Sequence, residues 1–140
     1  MTLRSGRVPT LVQRIAAGIA LLFGLATLGA GLRMLLGGSD PGYAVFAPLL
    51  VFNTVMGAAY LAAGVTAWRS ARWGRNGAGT LLLVNLMAWG AVSLVHARGG
   101  AVALESLRAM GFRSGVWMAL FLALAWAHRR VRRGERASGA

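Results

Sequence analysis

Charged side chains are missing from three long stretches of this chain, Ile15–Leu32, Tyr43–Trp68 and Gly77–His96. A segment inside lipid must satisfy its own backbone polar groups, and a helix needs about 20 apolar residues to cross the hydrocarbon core. Each stretch is near or above that length. A fourth run, Ser114–Ala127, has only fourteen uncharged residues, which reaches roughly 21 Å at helical rise against a core of about 30 Å. Either Arg113 and Arg129 extend to the two interfaces, or this helix starts near Ala101 and Arg113 faces protein or water.

The fold class read from this pattern is all-α: a four-helix transmembrane bundle in a single integral membrane domain over 1–140. The spans fall at about 11–36, 43–68, 77–96 and 112–128, followed by a basic tail at 129–140 that should be disordered beyond its first turn. Val102–Met110 reads either as a short helix lying at the interface between helices three and four, or as the first turns of helix four. The segment Gly37-Gly38-Ser39-Asp40-Pro41-Gly42 is a turn by composition, and Trp68–Arg75 reads as an aromatic belt with a basic loop.

Composition agrees. Of 140 residues, 57% are hydrophobic and 13% charged, where soluble domains carry about a quarter charged residues. The net charge of +12 comes from fifteen arginines, no lysine and three acids. Because the arginines sit mainly in short segments between apolar runs, they mark membrane topology and anionic lipid headgroups before nucleic acid. Eleven lie in the N-terminal segment, the second connection and the C-terminal tail, against four on the other side. That asymmetry places both termini in the cytoplasm of a multi-pass protein of the cell membrane, as in a bacterial inner membrane. The basic start followed by an apolar run also resembles a secretory signal, but the run is longer than the usual apolar region and no small-x-small cleavage site follows. The lack of Cys excludes disulfide exchange, thiolate metal sites, Cys nucleophiles and covalently attached haem.

Small residues fall on defined helical faces. Ala17, Ala20, Gly24, Thr27 and Gly31 share one side of the first helix. Asn53, Gly57, Tyr60 and Gly64 share one side of the second, and Gly115, Ala119, Ala123 and Ala127 form a ladder on the fourth, opposite Trp117, Phe121, Leu124 and His128. Such faces let helix backbones approach closely in lipid.

Chemistry-bearing residues are few. If the second and third helices are antiparallel, Asn53 and Asn85 lie at nearly the same depth, and a hydrogen bond between them is expected, with Tyr60 opposite Ala78. The same residues, Asn53, Tyr60 and Asn85, would line a polar midplane path if the chain transports a substrate. His96 is a weak candidate metal or haem ligand together with Asp40, Tyr43 or Glu105, without a ligand spacing to support it. Arg129, Arg130, Arg132 and Arg133 are positioned for anionic lipid. No Ser/His/Asp set converges and no phosphate-binding glycine loop is present. The expected function is therefore non-catalytic: an accessory or assembly subunit that packs against a larger membrane complex or self-associates, needing no cofactor. The rival expectations are a small homo-oligomeric channel or transporter and, less supported, a metal or haem protein through His96.

Overall fold

The structure, a computed structural model, describes residues 7–38 and 46–138. Four helices follow in chain order: α1 (Arg7–Leu35), α2 (Ala47–Arg69), α3 (Ala71–Ala97) and α4 (Leu104–Ser138). Each is long and apolar enough to cross a membrane. Outward-facing Leu22, Leu83 and Leu122 are each more than half exposed, an arrangement suited to hydrocarbon and not to water. The protein is a small multi-pass membrane protein built as a helical bundle.

The helix ends have local causes. At the end of α1, Gly37 adopts φ 75°, and at the end of α3, Gly99 adopts φ 79°. In both places the next two amides fold back on the last turn: Gly37 N to Met34 O at 3.2 Å and Gly38 N to Arg33 O at 2.8 Å, then Gly99 N to His96 O at 3.0 Å and Gly100 N to Val95 O at 2.9 Å. This pattern satisfies terminal carbonyls and needs a residue that enters the left-handed region without a Cβ penalty. Pro48 sits in the first turn of α2, where the missing amide is tolerated.

Two segments differ from expectation, and a third takes one of its two expected forms. The basic loop after Trp68 is helical except at Ser70, whose extended backbone (φ −153°, ψ 125°) alone separates α2 from α3. Gly74 makes this sharp reversal feasible, since a Cβ there would lie 2.5 Å from the Ala67 Cα. Helix α4 absorbs most of the ambiguous 102–110 segment, Val102 and Ala103 preceding it, and continues through the basic tail to Ser138. Arg and Ala are good helix formers, and a helix already nucleated in the membrane extends at one hydrogen bond per residue. The expected turn at 39–42 lies outside the described residues.

α1 and α2 form the closest hairpin and α3 and α4 a second; α2 then meets α3, and α1 meets α4, closing a ring. The first hairpin is set by glycine. A Cβ on Gly24 would lie 2.8 Å from Leu61 N, on Gly57 2.6 Å from Leu28 N, and on Gly64 2.7 Å from Leu21 Cγ, while Gly31 sits against Thr54. The two residue numbers of every pair have the same sum, the mark of one antiparallel register. On each helix the two glycines are seven apart, a repeat that keeps a face in line along a left-handed crossing. The core divides into a larger cluster around Tyr60, Trp117 and Leu120 and a smaller one of Leu49, Val92, Val102 and Met110.

Candidate functional site

One end of the bundle holds the N-terminus of α1, the α2–α3 turn and the C-terminus of α4, and with them most of the arginines. Between the middle of the bundle and its opposite end lies the only continuous polar feature of the described interior.

Its base is formed by Tyr60, Asn85 and Trp117, all fully or almost fully buried. The Tyr60 hydroxyl donates to Asn85 Oδ1 at 2.7 Å. Asn85 Nδ2 donates in turn to Leu81 O, one turn back on its own helix, at 2.9 Å. The Tyr60 ring packs on Trp117 with centroids 4.7 Å apart and on Phe23 at 5.7 Å. Side chains from all four helices thus meet at one aromatic knot. Two polar atoms beside it, Trp117 Nε1 and Ser114 Oγ, are buried without a hydrogen-bond partner among the described residues.

Above the knot is a half-open cavity of about 120 Å³, lined by Thr27 and Gly31 of α1, Leu49 and Asn53 of α2, and Ser106 and Arg113 of α4, among others. Asn53 Oδ1 is buried without a partner among the described residues. Half-buried Arg113 approaches Met110 Sδ at 3.7 Å. A cavity of this size holds several waters or a molecule of a few heavy atoms. Its lining supplies an amide, two hydroxyls and a guanidinium, groups that bind and orient a polar molecule.

The expected bond between Asn53 and Asn85 is not formed. At that depth Phe52, the preceding residue, packs into the small core cluster with Ala88 and Val92 of α3. One residue further along a helix is a rotation of about 100°, so Asn53 turns away from α3 toward α1 and α4. Tyr60, two turns below, shares the larger core cluster with Ala78, and its hydroxyl reaches Asn85. The polar column therefore ends at a buried hydrogen bond.

The remaining candidates separate by location. Gly24, Gly57 and Gly64 are buried in the α1–α2 contact. On α4, Gly115 and Ala119 are exposed and Ala123 is half-buried; a Cβ on Gly115 would meet nothing within 4 Å. Ala119 and Ala123 line a wholly apolar groove against Ile15, Ala16 and Ile19 of α1, about 230 Å³ in volume. His96 is exposed, and its Nδ1 lies 2.8 Å from Val102 O, which ties the end of α3 to the approach of α4. Among the described residues no three His, Cys, Asp or Glu side chains cluster as a metal site; Asp40 and Tyr43 lie outside those residues. Arg129, Arg130, Arg132 and Arg133 are exposed, and the Arg130 guanidinium lies 5.4 Å from the Trp126 ring centroid.

Sequence reasoning did not single out Trp117 or Thr27 as part of a site. A Trp in mid-span was the available signal, because membrane Trp residues concentrate at the interfaces. Thr27 and Ser106 carried no such signal. No family model matches the chain, and neither the curated proteins nor the solved structures give a match.

Proposed function

We propose that the protein is a non-catalytic membrane subunit, its termini in the cytoplasm of a cell such as a bacterium, that packs against another transmembrane helix through the α1–α4 seam. One observation carries this reading. The glycines of α1 and α2 that make close contacts are used within the chain, whereas Gly115 and Ala119 lead into the apolar groove that Ala119 and Ala123 form against α1, an open path for a backbone that the equally open Gly29 does not border. In lipid, association depends on close packing because hydrocarbon removes the hydrophobic drive between helices. The occupant is a helix of a larger complex or a second copy of this chain.

Since the chain contains no Cys, a single introduced thiol is unique. Gly115→Cys is expected to crosslink in native membranes into one discrete heavier species, at twice the chain's mass for a second copy. Gly29→Cys, on an exposed face of α1 with open space around it, should give none. Equal crosslinking from both positions would remove the reading.

A second reading is favoured by the cavity beside Asn53: binding of a small polar solute as part of a homo-oligomeric transporter. It requires Tyr60 and Asn85 to part during the cycle. Liposome flux that survives Asn53→Leu and Asn85→Leu would eliminate it.

A further inference from the structure

At the arginine-rich end, α4 continues past Trp126 as a helix beside the N-terminal turn of α1. Between the two is a cleft of about 470 Å³ lined by Val8, Pro9, Trp126, Arg130, Arg133 and Ala137, among others. Its two cations differ from a loose basic tail. The guanidinium of Arg130 is held over Trp126, and Arg133 follows one turn later on the same side of the helix. The floor is apolar, from Val8, Pro9, Trp126 and Ala137. The first turn of α1 carries no acid, so the positive end of its dipole adds to the field. Glu135, the acid of this segment, lies by helical spacing on the other side of α4.

We infer that this cleft binds the phosphate of an anionic lipid, with the glycerol and upper acyl chain resting on its apolar floor. Three observations select a lipid. Exposed Trp68, Trp73 and Trp126 all lie at this end of the bundle, at helix ends where aromatic belts sit at headgroup level. A second pair repeats the cation-over-indole geometry, with Arg14 6.0 Å from the Trp68 ring centroid. The cleft also joins charge to apolar surface, matching a headgroup on its chain, whereas a nucleic-acid backbone would call for a charged groove with bases stacked on the rings. Arg129, Arg132 and Arg136 line a neighbouring depression that Arg133 borders, without aromatic or aliphatic walls; these three arginines outside the cleft add diffuse attraction. The inference is independent of the α1–α4 seam and rests only on the membrane-spanning fold.

The test uses the full chain, purified in mild detergent and examined by native mass spectrometry after exposure to phosphatidylglycerol or phosphatidylcholine. The wild type should retain one phosphatidylglycerol in preference to phosphatidylcholine. The pair Arg130→Gln and Arg133→Gln should lower that retention on the order of tenfold. The pair Arg129→Gln and Arg132→Gln removes the same charge outside the cleft and should keep most of it. Titration with short-chain phosphatidylglycerol should change tryptophan fluorescence in the wild type and less in Trp126→Phe, a variant that keeps the arginines and the bundle. Equal loss from both arginine pairs would overturn the site in favour of diffuse charge. Equal retention of both lipids, or displacement of the lipid by a short RNA at lower concentration, would overturn it as well.

Discussion

The Tyr60 hydroxyl and the Asn85 side-chain carbonyl are joined by a 2.7 Å hydrogen bond with both residues fully buried. This bond ties α2 to α3 in mid-bundle, well away from their tight turn at Ser70. It also closes the polar column beneath the Asn53 cavity.

Removing the hydroxyl with Tyr60→Phe should lower stability by about 0.6 kcal/mol and by no more than about 1.7 kcal/mol, the average and the maximum for hydrogen bonds between membrane helices. Tyr60→Ala should cost about 3 to 5 kcal/mol, because it also opens a void against Trp117 and Phe23. Reversible unfolding in mixed micelles measures both. A double-mutant cycle of Tyr60→Phe with Asn85→Leu that gives simple additivity would show that the bond carries no coupling.

The glycine contacts predict a contrast between two helices. Gly57→Ala drives a Cβ onto the Leu28 backbone, and separating α1 from α2 should destabilise by about 1 to 3 kcal/mol. Gly115→Ala meets open space and should be neutral or slightly stabilising in the isolated chain. Thermal inactivation in one detergent compares them directly, and similar midpoints for the two variants would contradict the register of the first hairpin.

Asn53→Leu removes a buried carbonyl that has no partner among the described residues. An unsatisfied buried acceptor costs about 1 to 3 kcal/mol, so this substitution should leave stability unchanged or raise it. A clear drop in midpoint would mean that a bound molecule satisfies Asn53 in the purified protein, and washing or lipid exchange would then erase the difference.

Gly99→Ala tests the end of α3. Its backbone is left-handed, and a Cβ there costs roughly 1 to 2 kcal/mol. Hydrogen exchange at the Gly100 amide, which bonds to Val95 O at 2.9 Å, should accelerate in the variant while the middle of α3 stays protected. Unchanged exchange would mean that this reversal is held by other contacts, such as His96 with Val102.

Much of the architecture was legible in the residues. The four apolar runs, the Gly-Gly stop after Leu36, and the small face from Ala17 to Gly31 all follow from local rules. Three features were not. The α2–α3 connection read as a loop because Trp and Arg are typical of interfaces, yet only Ser70 leaves the helix. The arginine tail read as disordered from composition, yet it continues α4. Asn53 and Asn85 matched in depth, but depth does not specify angle, and Phe52 occupied the side toward α3.

What the sequence determined by itself was a set of helices, their approximate ends and the faces able to come close. Hydropathy, propensity and the absence of a Cβ belong to single residues or to spacing along one helix, so they are visible before any helix has a neighbour. The tertiary structure decided the partners: Tyr60 for Asn85, a cavity for Asn53, α1 for the glycines of α2, and none among the described residues for Gly115. Those choices depend on the rotation of each helix about its axis and on the volume of side chains such as Phe52 and Tyr60 between helices. Such quantities exist only once several helices share one packed interior.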